Sequence, residues 1–477
     1  MTEAYEAMIG LEVHIELKTR TKMFCSCSAA FGGEPNSRIC PVCTGQPGAL
    51  PAVNREAVLY GLVLSRELSG KILPVSRFDR KNYFYPDNPK SYQITQHYRP
   101  LMRDGEIDIG GKTVRIHELH LEEDAGKLFH TPDGRTLADL NRAGVPLAEI
   151  VTEPDFSTAD EAVAFLERLR DIAVYSGVSD GRMQEGSLRA DVNLSLRDPV
   201  TGEPGTRTEM KNLNSFTEIR HAIAHEALRQ ESLLRAGEPV VQETRRWDED
   251  RGQSFPMRGK EEAADYRYFP EPDLYPLRIT DGLLREAEAM RKEQRPEKEA
   301  RFIKEFGLSE RTAEVLTEDP GTAALFEESV ERTGDPQGAA NIIGTEILKL
   351  RRETGRPVPE SFMTPGKLAR ILTLNKEGSI TGTVMKDLVA VCYREETDPD
   401  TYVREKGLLT VRDTESLSEW ADRAIRENPG PVEEYLGGKE KVLMFLVGQV
   451  MKLSKGRARP DDVKETLLEK LRSLSGQ

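Results

Sequence analysis

The chain has 477 residues, a length that suits about three domains. Hydrophobic residues make up 38% and charged residues 31%, enough for a sizeable core beneath a heavily charged surface. A formal charge of −14 excludes a globally basic polyanion binder, so any nucleic-acid contact must come from a local patch. The first residues show no basic stretch followed by an apolar one, and no run of about 20 apolar residues occurs. The expectation is a soluble, cytoplasmic protein.

IGLEVHIEL (Ile9–Leu17) alternates strictly and predicts a half-buried strand. It sends Leu11, Val13, Ile15 and Leu17 one way and Glu12, His14 and Glu16 the other. Such a polar face lines a metal site or forms a solvated edge.

Four of the five cysteines follow, as C-x-C (Cys25, Cys27) and, twelve residues on, C-x-x-C (Cys40, Cys43). Two thiolate pairs separated by a loop supply four tetrahedral ligands to Zn²⁺, and Pro41 and Gly45 suit the tight turn of the second pair. A closed four-sulfur site has no open position, so its role is structural. Cys392 stands alone.

Asp79–Lys90 mixes cations with Tyr83, Phe84 and Tyr85, as in a loop that contacts phosphates and stacks on bases, or in a loop packed by its own tyrosines. His120-Leu-Glu-Glu-Asp124 is a second acidic cluster. Glu149 lies inside the otherwise apolar strand Pro146–Pro154, where a carboxylate must be exposed or paired. Gathered carboxylates suit Mg²⁺, and the histidine among them leaves Mn²⁺ open. The G-x-x-x-x-G-K-[ST] loop is absent, so a nucleotide would not be held in P-loop fashion.

Thr158 with Glu161, and Ser215 with Glu218, read as capping boxes that open helices, the second stopping at Gly237. SLRADVNLSL and VVQETRRW return to strand period. Helices among mostly antiparallel strands define an α+β domain over 1–295, with the cysteine insert at 25–43. Strand signals end there. Asp335-Pro336 and Thr364-Pro365 look like helix caps followed by proline, within a helical domain at 296–406. The charged stretch Arg394–Asp400 precedes a last helical unit, 407–477, in which Asn428-Pro-Gly-Pro431 separates two helices. From Lys441 onward eight Lys/Arg oppose four acids, and Lys452, Lys455, Arg457 and Arg459 form a patch that either contacts phosphates or stabilises helix ends.

Several longer motifs carry a resemblance. IGLEVHIEL, FDRKNYFYPDNPKSYQ, LHLEEDAGK, DLNRAGVPLAEIVTEPD, EGSLRADVNLSL, KNLNSF, QETRRW and DYRYFPEPDL closely resemble the GatB/GatE family, the B subunits of tRNA-dependent amidotransferases. LVGQVMKLSKGRARP resembles that family's YqeY-like tail. The likeness runs in order from Met8 to about Pro460. The archaeal branch carries a large inserted domain, for which this chain has no room.

The resemblance implies a glutamine-synthetase-like cradle, a helical domain and the tail. It implies ATP as co-substrate, Mg²⁺ or Mn²⁺, and a GatCAB heterotrimer in which the A chain is a glutaminase and a C chain completes the assembly. Misacylated tRNA(Gln) or tRNA(Asn) would be phosphorylated on its side-chain carboxyl, and ammonia would then displace phosphate. The metal role falls by resemblance on Glu12, His14, Glu123 and Glu149. Glu122 is the rival of Glu123, because alternation puts Glu122 with His120. Lys81, Tyr83 and Arg142 become substrate or phosphate contacts, and the basic patch a tRNA contact. With four cysteines committed to metal and no histidine signature near Cys392, ammonia must come from elsewhere. The competing reading is a noncatalytic zinc-containing RNA-binding scaffold of a translation complex.

Overall fold

The computed structural model describes residues 5–257, 266–410, 414–454 and 456–475. The chain divides into two units, Met1–Arg295 and Pro296–Gln477. The first unit opens with β1 (Glu6–Glu16), α1 (Arg55–Glu67), β2 (Lys71–Ile72), β3 (Val75–Asn82), β4 (Tyr92–Arg99), β5 (Met102–Asp108) and β6 (Thr113–Glu123). Next come β7 (Lys127–His130), β8 (Thr136–Asp139), β9 (Pro146–Thr152), α2 (Ala159–Tyr175), β10 (Leu188–Arg197), β11 (Thr208–Lys211) and α3 (Phe216–Arg235). It closes with β12 (Thr244–Asp248), β13 (Gln253–Pro256), β14 (Phe269–Pro270), β15 (Leu277–Arg278) and α4 (Asp281–Ala289).

Nine strands form one sheet in the order β13-β12-β11-β10-β1-β9-β6-β5-β2, antiparallel throughout except between β11 and β12. β3 carries β4, β14 and β15 in a second sheet, and β7 and β8 form a separate hairpin. The alternation of β1 decides the two faces of the main sheet. Leu11, Val13 and Ile15 enter one core with Leu62 of α1, Leu166 of α2 and Ile219 of α3. The opposite face is therefore left to the polar residues.

Both helix starts are capped: Thr158 accepts from the Glu161 amide at 3.2 Å and Ser215 from that of Glu218 at 3.1 Å. The glutamate carboxylates reach one residue further back than a capping box requires, to the Ser157 and Asn214 amides. Gly237 follows α3 with a φ of 76°, the left-handed turn that ends a helix. VVQETRRW is strand only from Thr244 onward.

On α3, Glu226 is fully buried and accepts from Thr208, Gln230 and Arg229, with Arg245 3.6 Å away. Burial opposes its ionisation, but the hydrogen bonds from Arg229, Gln230 and Thr208 outweigh it and hold the carboxyl below its ordinary range. Glu226→Ala should cost about 3–5 kcal/mol, since it strands two cations against the core. Urea unfolding of wild type and variant should show that gap near neutral pH. A depressed pKa stabilises above the unfolded value and is lost as pH falls through the folded one, so the gap should shrink below about pH 4.5.

The second unit is helical: α5 (Arg295–Phe306), α6 (Glu310–Leu316), α7 (Pro320–Thr333), α8 (Pro336–Ile342), α9 (Leu348–Thr354), α10 (Pro365–Lys376), α11 (Gly382–Arg394) and α12 (Pro399–Glu405). A π-helical turn, Ile343–Ile347, joins α8 to α9. Asp335 and Thr364 cap α8 and α10 with proline at the first helical position. At the end of the charged stretch Arg394–Asp400, Asp398 caps α12, whose Val403 belongs to the same core as Phe302 and Leu388.

A further core gathers Leu417 of α13 (Thr414–Glu427), Val432 of α14 (Pro429–Leu436), Leu446 and Val450 of α15 (Leu443–Leu453) and Leu467 of α16 (Pro460–Ser475). Pro429 and Pro431 lie in the first turn of α14 rather than in a loop. Among the described residues no helix is long and apolar enough to cross a membrane.

Candidate active site and metal centre

Strand register assembles the site. Arg189 of β10 stands opposite His14 of β1, His14 opposite Glu149 of β9, and Glu149 opposite His120 of β6. This row of four charged or titratable groups crosses the polar face. Nε2 of His14 lies 3.5 Å from Glu149 and 3.7 Å from Glu122, and ligand atoms of His14, Glu122 and Glu149 lie within 4.8 Å of one another. His120 Nε2 meets Glu149 at 2.8 Å, and Thr95 donates to Glu122 at 3.0 Å.

Burial penalises these charges, but they compensate one another. The His120 and His14 charges hold the Glu149 carboxyl well below its usual range, and the Glu149 carboxylate lifts both histidines. Glu149 thus resolves the paired-or-exposed choice: it is buried and paired. One imidazole nitrogen and two carboxylates converging within one ion's reach fit a divalent cation that prefers oxygen, and leave positions open for a phosphate-bearing substrate.

The other residues singled out by sequence separate around this set. Glu123 does not join it. β6 keeps strict alternation from Glu118 to Glu123, so Glu122 faces His14 while Glu123 accepts from Lys90 and, at 3.0 Å, from the Ile94 amide. Glu122 is the third member. Glu12 sits one place along the face and groups with Asp191 and Glu209, accepting from Asn193 at 2.9 Å. Burial and then the nearby Glu149 charge push its carboxyl up. Lys211 bridges Asp191 and Glu209 at 2.7 and 2.9 Å.

Lys81 of β3 has its ammonium over the Tyr266 ring at 5.0 Å. Burial opposes its charge, but Glu122, Tyr268 and Glu149 hold its pKa above the usual value. Tyr83 packs edge-on against Tyr266, and burial drives its phenol up. Arg142 is occupied: it donates to the carbonyls of Ala125 and Gly126 at 2.9 and 3.0 Å and lies 3.4 Å from Asp124. It braces a loop. Asp124 also receives Arg189 at 2.6 Å. Arg189 is the neighbour that sequence reasoning passed over, while His120, Lys90 and Asp124 entered only as members of longer clusters. Their signal was the alternation of β6 and β10 combined with a register that local sequence does not carry.

Cys25, Cys27, Cys40 and Cys43 bring their sulfurs within 4.8 Å of one another, so the cluster can hold a metal ion. The Cys40 and Cys43 sulfurs are 3.9 Å apart. Sulfurs at ~2.3 Å from one tetrahedral ion would stand about 3.8 Å apart, so the donor set fits. Gly45 ends the turn at φ 68°, and a Cβ there would meet Lys90 at 2.6 Å. In the tail, Lys452 and Arg459 are exposed. Arg457 donates to the carbonyls of Ser454 and Gly407 and lies 5.7 Å from the Trp420 ring. Lys455 lies outside the described residues.

A mixed sheet whose polar face gathers a histidine and carboxylates defines an α+β catalytic domain, followed here by an all-helical region. The chain belongs to the GatB/GatE family: residues 7–285 match the GatB/GatE catalytic domain and residues 324–471 the GatB domain. It is 48% identical to a Lachnospira eligens protein named as the B subunit of aspartyl/glutamyl-tRNA(Asn/Gln) amidotransferase, over 98% of this chain and 99% of that one. Proteins of the same name from Agathobacter rectalis and Caldicellulosiruptor saccharolyticus are each 47% identical over 98% of this chain and 99% and 100% of their own lengths.

Proposed function

We propose that the chain is the B subunit of a tRNA-dependent amidotransferase and activates the side-chain carboxyl of glutamate or aspartate on misacylated tRNA(Gln) or tRNA(Asn). The observation that supports this most is the His14–Glu122–Glu149 set, a half-buried histidine between two buried carboxylates, with the Lys81 ammonium near it. The carboxylate oxygen attacks the γ-phosphorus of ATP and ADP leaves. Ammonia then attacks the acyl carbon, and the C–O bond breaks with its oxygen departing in phosphate. His14, Glu122 and Glu149 would hold Mg²⁺ or Mn²⁺, which when bound neutralises charge on phosphate oxygens. Glu12 stands at the edge of that set. Lys81 supplies a fixed positive charge, Tyr83 and Tyr266 wall it from water, and Arg142 and Arg189 hold Asp124.

The four cysteines would carry one structural Zn²⁺. Burial pushes the Cys392 thiol up to about 11, so it is no nucleophile for releasing ammonia from glutamine. Ammonia would come from the glutaminase, or A, chain of a cytoplasmic complex that also holds the C chain. A scaffold that only binds RNA has no use for a buried histidine–carboxylate set. Reconstitution with candidate A and C chains, misacylated tRNA, ATP and glutamine should yield amidated aminoacyl-tRNA only when this chain is present. No product from the full mixture would overturn the proposal.

The exposed Lys452 and Arg459, with Lys455, are the proposed tRNA phosphate contacts of a tail domain spanning 407–477. Lys452→Ala and Arg459→Ala should each lower the log–log salt slope of tRNA binding by about 0.7–0.9. Arg457→Ala should instead lower the tail's melting temperature, because that side chain already binds two carbonyls. An unchanged slope in a folded Lys452→Ala/Arg459→Ala variant would remove the patch from the interface.

A further inference from the structure

Lys22 has no exposed surface. Lysine is almost never fully buried without an anionic partner. Its ammonium forms no ion pair with any carboxylate among the described residues; it meets Cys43 Sγ at 3.7 Å and the Leu140 carbonyl at 3.2 Å. Four thiolates around one divalent ion carry a net charge of about −2, which a buried ammonium offsets through N–H···S contact. Lys22 is therefore intelligible as the counter-cation of a loaded four-cysteine centre.

The same lysine reaches a segment that the cysteine loop grips along its length. The Asn36 amide donates to Asp139, its side chain donates to the Ala138 carbonyl, and its Oδ1 accepts from the Leu140 amide at 2.8 Å. Arg38 and Glu34 hold Asn141 by backbone-to-side-chain bonds of 2.9 and 2.7 Å. Arg142 comes next and braces Asp124, which binds Arg189 opposite His14.

We propose that Lys22 is the outer-shell cation of the four-cysteine centre, and that through Lys22 and Asn36 the loaded centre orders the 138–142 segment that positions Arg142. This rests on the reading that the cysteines hold zinc.

Zinc affinity of the full-length chain, measured by competition with a chromophoric chelator, should fall about 10–100-fold in Lys22→Met. Equal affinity in wild type and variant would overturn the outer-shell role alone, whereas a wild-type chain that takes up no zinc would end the underlying reading and this proposal with it. Hydrogen exchange on the wild-type chain tests the second half without any variant. Chelation should speed exchange at the Leu140 amide at least about tenfold while leaving Ile150 of β9 unchanged. Leu140 exchange that ignores zinc would overturn the coupling.

Discussion

Glu149→Gln should lower ATP-dependent amidation about 10³-fold, equivalent to ~4 kcal/mol of barrier, while glutamine hydrolysis by the glutaminase partner goes on. The glutamate approaches His14 at 3.5 Å and His120 at 2.8 Å, closer to each than Glu122 does, and the two histidine charges hold its carboxyl well below the usual range. A neutral amide keeps the shape but removes the charge that gathers a cation and both imidazoles. The variant's Mg²⁺ requirement should rise steeply, and amidation with ammonia supplied directly should be as impaired as with glutamine. Glu123→Gln is the informative contrast, because its carboxylate serves Lys90 on the opposite side of β6. It should leave the Mg²⁺ requirement near wild type. Equal Mg²⁺ phenotypes for the two variants would show that the face assignment of β6 is wrong.

Cys43→Ser should reduce zinc from about one per chain to well below stoichiometric and destabilise the cysteine loop, while Cys392→Ser should leave zinc unchanged. Among the clustered thiols Cys43 is set apart: hydrogen bonding from Cys25 leads the effects that lower it to about 4, with the Cys40 amide and Lys22 adding to it. Cys27 is instead pushed up to about 11, chiefly by burial. Zinc binds thiolates, so its uptake should release protons. Metal analysis with thiol titration checks this. Four freely titratable thiols in a native, zinc-free chain would contradict it.

Much of this was legible in local sequence, for reasons that are local. The polar face of β1, the caps at Thr158 and Ser215, the prolines opening α8 and α10 and the four-cysteine spacing all depend on neighbours within a few residues. The candidate site does not. Arg189, His14, Glu149 and His120 align only because β10, β1, β9 and β6 pair across long stretches of chain, and no local pattern states that register. Family resemblance pointed to Glu123, whereas simple alternation from His120 pointed to Glu122; the unbroken pairing of β6 with β9 beyond Glu118 supports alternation. The contacts of Arg142 and Arg457 were illegible for a related reason. A cation in sequence looks available, but both guanidinium groups are bound to carbonyls of remote segments.

If the His14–Glu122–Glu149 face activates a carboxyl by phosphorylation, an oxygen of that carboxyl must leave in phosphate. Labelling the side-chain carboxyl of the misacylated tRNA with ¹⁸O and analysing the phosphate released during amidation by the reconstituted complex follows that oxygen. One labelled oxygen should enter phosphate for each amide formed, with label transfer and amidation falling together in Glu149→Gln. Amide formation with unlabelled phosphate, or undiminished label transfer in Glu149→Gln at ordinary Mg²⁺, would contradict activation at this face.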